Sequence, residues 1–187
     1  IDYENVWGVA DENLFELAIK EIDKSSTEKP VFAHIMTTSN HRPYTYPEGR
    51  IDIPSHTSRQ GAVKYTDYAI GKFIKESSRK PWFNNTLFVF VADHDAGVAG
   101  NTDVNKKDYL IPLIFFAPSL IKPQVISNLG SQIDVGPTLM GLLNMSHESF
   151  GFGYDLRKYN PARAFISNYQ KVGYLKQDFL TLLEPGQ

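Results

Sequence analysis

The most constraining feature of the sequence is a continuous apolar run, Thr-Leu-Phe-Val-Phe-Val-Ala, at positions 86–92. Its β-branched and aromatic side chains are typical of strands. Because no polar residue interrupts the run, it indicates a strand that is covered on both faces. Strands of this kind occur mainly in parallel sheets packed against helices. The run therefore predicts an α/β fold built around a buried central strand.

Helical and strand patterns alternate along most of the chain. Apolar residues recur at helical spacing in three segments, 11–24, 61–76 and 133–143, and Asp11 stands where it can cap the first helix. Short apolar segments at 31–36 and 111–116 predict two further strands. Alternation of this kind implies right-handed crossovers and a mainly parallel sheet with helices on both faces.

The pattern changes near the C-terminus. Three short strand candidates, separated by turn-forming residues, follow at 164–167, 172–175 and 179–183. Strands so close together in sequence pair through tight turns, which favour antiparallel neighbours. We therefore predict a small antiparallel β meander at the end of the chain.

Composition excludes several classes of function. Lys plus Arg number 19 and Asp plus Glu 21 in 187 residues, so a formal net charge of −2 gives no reason to expect a nucleic-acid partner. The absence of Cys excludes disulfides, thiolate zinc ligands and cysteine nucleophiles. No stretch reaches the ~18 apolar residues of a membrane-spanning helix.

Because the chain starts at Ile1 and not at Met, we expect it to be a piece of a longer protein whose membrane anchor lies upstream.

Two predicted strands end in polar residues. The central strand runs into Asp93, His94 and Asp95, and the strand before it runs into 37–42 (Thr-Thr-Ser-Asn-His-Arg). Ligands of open α/β sheets bind beyond the carboxyl ends of the strands. A carboxylate beside an imidazole suits Mn²⁺ or Zn²⁺, so Asp93 and His94 are candidate metal ligands. The alternative is a hydrogen-bonded turn without a metal.

The other four histidines are weaker candidates for a functional site. His41 and Arg42 lie among Ser, Thr and Asn residues that together can receive a phosphate or sulfate, although a solvated loop with an incidental histidine is the alternative. His34 lies within an apolar segment and is expected to be a core histidine. His56 and His147 lie in polar segments and receive no role.

An ordered set of motifs resembles one known family. The motifs lie at 7–11 (Trp-Gly-Val-Ala-Asp), 38–44 (Thr-Ser-Asn-His-Arg-Pro-Tyr), 65–71 (Tyr-Thr-Asp-Tyr-Ala-Ile-Gly), 91–94 (Val-Ala-Asp-His), 111–114 (Ile-Pro-Leu-Ile), 117–118 (Ala-Pro) and 131–139 (Ser-Gln-Ile-Asp-Val-Gly-Pro-Thr-Leu). Together they span nearly the whole chain. In this order they resemble the C-terminal part of the lipoteichoic acid synthase-like sulfatases, which are phosphoglycerol transferases of the alkaline phosphatase superfamily.

The resemblance implies an incomplete α/β/α layered domain. It assigns 1–160 to the C-terminal part of the catalytic domain and 161–187 to a small antiparallel subregion of the same domain. It makes Asp93 and His94 ligands of one divalent ion, Mn²⁺ first with Zn²⁺, Mg²⁺ or Ca²⁺ as alternatives, and gives His41 the contact with substrate. The family's nucleophile is a threonine in the N-terminal half, which has no match here. We therefore assign no catalytic nucleophile to this chain and expect the fragment alone to be inactive.

The resemblance also implies a reaction and a location. The parent enzyme would take phosphoglycerol from a phosphatidylglycerol-type lipid, at the periplasmic side of the bacterial inner membrane. Two alternatives stay open: a sulfatase of the same superfamily, and a non-catalytic domain that binds an anionic glycan or lipid. Because a divided sheet exposes strand edges, we also expect self-association or tight association with the N-terminal half of the same protein.

Overall fold

The computed structural model describes residues 3–26, 29–95, 104–146, 148, 151–168, 170–184 and 186. The chain divides into two compact units, which are treated separately. Unit 1 comprises Ile1–Thr86 with Ala117–Leu120, and unit 2 comprises Leu87–Phe116 with Ile121–Gln187. None of the described helices combines the length and apolar character that a membrane crossing requires.

Two packed helices form the frame of unit 1. Helix α1 spans Asp11–Ser25 and helix α2 spans Arg59–Ser77, which confirms both helices predicted in this region. They meet through apolar side chains, and the rings of Phe15 and Phe73 stack with centroids 4.7 Å apart. Ser58 caps α2, since its hydroxyl accepts a hydrogen bond from the Gly61 N–H.

The expected cap of α1 is wrong. The N-cap position belongs to Ala10, which makes no side-chain cap, and Asp11 is the first helical residue. The Asp11 carboxylate accepts hydrogen bonds from the backbone N–H groups of Thr38 and Ser39 instead of from its own helix. A tertiary contact therefore replaces the local one that the sequence pattern suggested.

A second group of buried residues holds the long loop that precedes α2. The rings of Tyr46 and Tyr65 stack with centroids 4.9 Å apart and are almost completely buried. Gly61 permits this packing, because a Cβ atom there would collide with the Tyr46 hydroxyl. Before α1, strands β1 (Glu4–Asn5) and β2 (Gly8–Val9) form a short antiparallel pair.

The strand predicted at 31–36 does not form. The segment pairs with no strand in the described part of unit 1, and Phe32 and Met36 are 84% and 71% exposed. His34 is exposed as well, so its expected place in the core is wrong. An apolar run becomes a strand only where a neighbouring strand accepts its hydrogen bonds. The described residues supply no such neighbour.

Unit 2 contains a two-stranded ribbon and a short helix. Strand β3 (Phe88–Val91) pairs antiparallel with β4 (Leu113–Phe116), which confirms strands in both predicted places. The mainly parallel pairing expected for them is not seen, because every ladder formed by the described residues is antiparallel. Helix α3 (Val135–Leu142) follows a 3₁₀ turn at Gln132–Asp134 and confirms the third predicted helix. Further 3₁₀ turns lie at Phe83–Asn85, in unit 1, and at Lys106–Tyr109.

The C-terminal meander is confirmed. Strands β5 (Arg163–Ser167), β6 (Val172–Lys176) and β7 (Phe179–Leu183) form one antiparallel sheet in that order. Ala164, Ile166 and Leu175 are buried on one side of this sheet. The alternation of buried and exposed residues along β5 and β6 is typical of a sheet with one solvated face.

A buried ion pair joins the meander to the start of α3. Both oxygens of the fully buried Asp134 carboxylate receive hydrogen bonds from the Arg163 guanidinium, at 2.7 and 2.9 Å. The backbone N–H groups of Ser131 and Tyr154 donate to the same carboxylate, each at 2.8 Å. Burial alone would raise the pKa of Asp134, but these donors outweigh it and hold the pKa below its ordinary value of 3.8.

We predict that Arg163→Met destabilises the chain by about 3–5 kcal/mol, because it leaves the Asp134 carboxylate buried without its cation. Urea unfolding followed by circular dichroism measures this loss. Lys64→Met is the control, since the Lys64–Asp52 pair is 50% and 73% exposed and should contribute at most about 1 kcal/mol. Equal losses in the two variants would contradict the prediction.

The contribution of Asp134 to the free energy of unfolding depends on pH, because the pKa of Asp134 is lowered in the folded chain. The Arg163 guanidinium and the two backbone N–H groups hold the carboxylate more strongly when it is ionised, so this contribution is complete above the unfolded pKa of about 3.9. It is lost as the pH falls through the lower folded pKa. In Arg163→Met this acid-dependent part of the unfolding free energy should shrink or change sign.

Candidate functional site

The chain turns directly after β3 and brings two predicted metal ligands together. The side chains of Asp93 and His94 are 84% and 56% exposed, and Asp93 Oδ2 lies 3.5 Å from His94 Nε2. Asp93 Oδ1 accepts the His94 backbone N–H at 2.8 Å, which holds the turn closed. Neighbouring residues of a straight strand would point to opposite faces, so the convergence depends on this turn.

The ring of His94 is held in one orientation by the backbone. His94 Nδ1 lies 2.8 Å from the carbonyl oxygen of Asp95, so the neutral ring carries its proton on Nδ1 and donates it there. The lone pair is then on Nε2, beside the Asp93 carboxylate. Metal-ligating histidines characteristically have the other ring nitrogen fixed in this way. One oxygen and one nitrogen donor in this arrangement fit a divalent cation of the Mn²⁺ or Zn²⁺ type.

Gln132 fixes the backbone that carries this pair. Its side-chain amide donates to the carbonyl oxygens of Ala92 and Asp93, at 2.9 and 2.8 Å. Gln132 begins the 3₁₀ turn that ends at the buried Asp134, so the turn ties the strand end to that ion pair. Sequence analysis assigned no role to Gln132, although it lies in one of the family motifs. Only the tertiary contact across about 40 residues reveals it.

The described residues bring together only two candidate metal ligands. Within the ranges that the structure describes, no three His, Cys, Asp or Glu side chains come close enough to hold a metal together. Asp93 and His94 therefore number fewer than the ligands that a complete metal site requires.

His41, in unit 1, is held by a turn and by an aromatic contact. Its backbone N–H donates to the Thr38 carbonyl at 3.0 Å, and Nδ1 lies 3.0 Å from the Arg42 carbonyl. The imidazole packs against the indole of Trp7 with ring centroids 4.0 Å apart. Because Nδ1 is engaged by a carbonyl, Nε2 is the ring nitrogen that can meet a ligand. His41 itself is exposed.

Two arginines meet on one tyrosine close to His41. The Tyr44 hydroxyl accepts hydrogen bonds from the Nε atoms of Arg42 and Arg59, at 3.5 and 3.3 Å. These two hydrogen bonds, that of Arg42 first, lower the pKa of Tyr44 below its ordinary value of 10.0. Arg59 and Tyr44 had no assigned role from the sequence, because 15 residues separate them and only the fold joins them. The cluster adds positive charge beside the turn that carries His41.

The remaining candidate histidines stay outside both arrangements. His56 is exposed, and its backbone N–H donates to the Tyr44 carbonyl at 3.0 Å. His147 lies outside the described residues.

The fold is similar to that of the alkaline phosphatase superfamily. A crystal structure of an alkaline phosphatase superfamily protein from Vibrio parahaemolyticus matches it with a TM-score of 0.90 and 36% sequence identity. The match covers 99% of this chain and 47% of that one. The predicted α/β/α class, as an incomplete domain, is thereby confirmed.

The chain belongs to the sulfatase family, since the family model named Sulfatase matches residues 2–145. The lipoteichoic acid synthase-like protein YvgJ of Bacillus subtilis (strain 168) is 28% identical over 174 residues, covering 80% of this chain and 28% of YvgJ. Phosphoglycerol transferase I of Xanthomonas campestris pv. campestris (strain ATCC 33913) is 28% identical over 164 residues, covering 81% of this chain and 23% of that protein. The family resemblance drawn from the motifs is confirmed.

These matches also define how much of a relative the chain represents. It spans about a quarter of the curated relatives and just under half of the solved neighbour. What the longer proteins do is therefore a property of more residues than this chain contains.

We predict that Arg42→Ala and Arg59→Ala each raise the pKa of Tyr44, and that the double variant raises it further than either one, because each substitution removes a donor that favours the phenolate. Titration of ¹³C-labelled tyrosine by NMR, with Tyr44→Phe for assignment, measures the change. Arg79→Ala removes an exposed arginine that does not contact Tyr44 and should leave the pKa unchanged. A Tyr44 pKa that stays the same in all variants would show that the guanidinium contacts do not form in solution.

Proposed function

We propose that the chain is part of a metal-dependent phosphoglycerol transferase, or a related phosphodiesterase, acting on phosphatidylglycerol-type phosphoesters. The observation that carries the proposal is the Asp93–His94 pair, with His94 Nε2 3.5 Å from Asp93 Oδ2 and Nδ1 engaged by the Asp95 carbonyl. Membership of the sulfatase family and similarity to a phosphoglycerol transferase support it.

Asp93 and His94 are proposed to hold one divalent ion, Mn²⁺ first, with Zn²⁺, Mg²⁺ or Ca²⁺ as alternatives. A bound ion of this kind lowers the pKa of a hydroxyl nucleophile and offsets the charge on phosphoryl oxygens. The chain's own residues prepare its site. The Asp95 carbonyl sets the tautomer of His94, and the Gln132 amide holds the carbonyls of Ala92 and Asp93.

His41 is proposed to contact the phosphoester or a glycerol hydroxyl through Nε2. A histidine in that position hydrogen-bonds the substrate or donates a proton to the leaving group. The guanidinium groups of Arg42 and Arg59, joined through Tyr44, add positive charge beside His41 that attracts an anionic substrate. We propose that the nucleophile, a threonine, belongs to a segment that precedes this chain, so that the chain alone is inactive.

The parent protein is proposed to act at the periplasmic side of the bacterial inner membrane, held there by an anchor upstream of this chain. Its N-terminal half is proposed to cover surfaces that the described residues leave open. In unit 1 the apolar segment 31–36 is unpaired, with Phe32 84% exposed. In unit 2 the described residues pair β3 with β4 alone, and Val91 is 44% exposed.

A sulfatase is the second candidate, because the matching family model carries that name. The two enzymes differ in the ester that they cleave, and the Asp93–His94 pair suits either one. A non-catalytic domain for anionic glycans or lipids is a third outcome that the same assay identifies.

We predict that His94→Ala abolishes Mn²⁺-dependent release of glycerol phosphate from phosphatidylglycerol by the full-length gene product. Removing a residue that hydrogen-bonds a metal ligand typically lowers metal affinity or activity by about 10- to 100-fold, so removing a ligand itself should lower activity by at least about 100-fold. His41→Ala should lower kcat/KM by about 10- to 100-fold, because a hydrogen bond to a charged group contributes about 1.5–3 kcal/mol. His56→Asn, at an exposed histidine that stays outside both arrangements, is the control and should retain full activity.

The assay is run with Mn²⁺, with chelator and with an aryl sulfate as competing substrate class. Turnover of the sulfate ester alone would move the protein to the sulfatases. Metal binding without turnover of either substrate would identify a binding domain. Activity that survives in His94→Ala would contradict the proposed metal site.

We predict that Gln132→Met lowers the affinity for Mn²⁺ by about 10- to 100-fold, because it keeps the length of the side chain but removes both hydrogen bonds to the ligand-bearing backbone. Titration calorimetry of the full-length gene product measures the affinity. Gln60→Met, the same change at an exposed position of α2, is the matched control. Equal affinities in the two variants would show that Gln132 does not support the site.

A further inference from the structure

Asp11 is a fully buried carboxylate whose described partners include no cation. Its Oδ1 accepts the backbone N–H groups of Thr38 and Ser39, both at 3.0 Å, and its Oδ2 accepts the Thr66 hydroxyl at 2.9 Å. The Asp11 N–H in turn donates to the Ser39 hydroxyl at 3.1 Å. A buried carboxylate is tolerated when it is hydrogen-bonded in this way, and the first turn of α1 adds a favourable dipole.

The two amides that Asp11 holds begin the turn that carries His41. The Thr38 carbonyl accepts the His41 N–H at 3.0 Å, and the His41 carbonyl accepts the Tyr44 N–H at 2.8 Å. The Asp11 carboxylate therefore fixes the backbone on the N-terminal side of His41.

Trp7 holds the same turn on its C-terminal side. Its indole N–H donates to the Arg42 carbonyl, the same oxygen that lies 3.0 Å from His41 Nδ1. Its ring packs on the imidazole with centroids 4.0 Å apart. Trp7 and Asp11 are the ends of one five-residue segment, 7–11, so a single segment contacts the turn before and after His41.

We propose that Asp11 and Trp7 are positioning residues for His41. They set the orientation of the imidazole and keep its proton on Nδ1, so that Nε2 is presented to the substrate in one state. The effect on catalysis rests on the role proposed above for His41, whereas the effect on the ring itself does not.

The adjacent carboxylate gives a matched control. Glu12 is 3% exposed, and it pairs with Arg50 at 2.6 Å and with Lys72 at 3.3 Å. These partners lie outside the turn that carries His41. Glu12→Gln therefore removes a buried charge from the same helical turn without touching the contacts of Asp11.

The first measurement is a long-range ¹H–¹⁵N spectrum of the histidine rings of the 187-residue chain at pH 8, with His41 assigned by His41→Asn. The unsubstituted chain is expected to show His41 protonated on Nδ1 alone. Asp11→Ala should give a mixture of His41 tautomers. Trp7→Phe keeps an aromatic ring but removes the indole N–H, and it should give such a mixture as well. Asp11→Asn should rescue much of the effect, since its carbonyl oxygen still accepts both amides. Glu12→Gln should leave the His41 tautomer unchanged, even if it lowers the Tm as much as Asp11→Ala does.

The second measurement is kcat/KM of the full-length gene product on phosphatidylglycerol. Asp11→Ala should lower kcat/KM about 10-fold, and less than His41→Ala does. In the His41→Ala background it should have no further effect, because a residue that acts only through His41 has nothing left to position. Additive losses would indicate a purely structural role.

A His41 tautomer that stays unchanged in both Asp11→Ala and Trp7→Phe, or that shifts no more than it does in Glu12→Gln, would overturn the proposal. Because Trp7→Phe is a mild substitution, it decides the matter even where Asp11→Ala does not fold. If the tautomer shifts as expected while His41→Ala keeps full activity, the positioning stands and the proposed role of His41 fails.

Discussion

A carboxylate that leaves water must be hydrogen-bonded on both oxygens, and this requirement organises each unit of the chain. In unit 2 Asp134 meets it with the Arg163 guanidinium and two backbone N–H groups. In unit 1 Asp11 meets it with two backbone N–H groups and a hydroxyl. Each solution joins segments about 20 to 55 residues apart, so the same bonds that satisfy the charge also fix loops beside the candidate site residues.

The parts of the fold that sequence predicts well are those with local causes. The three helices follow from apolar spacing, and the meander follows from short β-prone runs between turn residues. Pairing is not local. The runs at 31–36 and 86–92 look alike in sequence, yet only the second acquires a partner strand among the described residues. An apolar pattern reports a tendency to be buried, whereas a strand also needs a neighbour with free N–H and C=O groups.

In the candidate site, too, the local features could be predicted from sequence and the long-range contacts could not. Asp93 and His94 are adjacent, so a turn after β3 is enough to bring them together, and their residue types already indicate the chemistry. Gln132, Arg59 and Trp7 act from about 15 to 40 residues away in sequence from the groups that they contact. No spacing rule links such positions, because a side-chain hydrogen bond to a distant carbonyl leaves no periodic trace. These supporting contacts became visible only with the fold.

The contact between the rings of Trp7 and His41 gives the chain an optical reporter of its own. The chain contains two tryptophans, and Trp82 donates its indole N–H to Asp23 at 2.8 Å, away from the turn that carries His41. Trp7 is half exposed and touches the imidazole directly, so its emission depends on what occupies the space around that ring. Fluorescence quenching of Trp7, with Trp82 as an internal reference, can therefore report whether a phosphoester binds beside His41, without any added label.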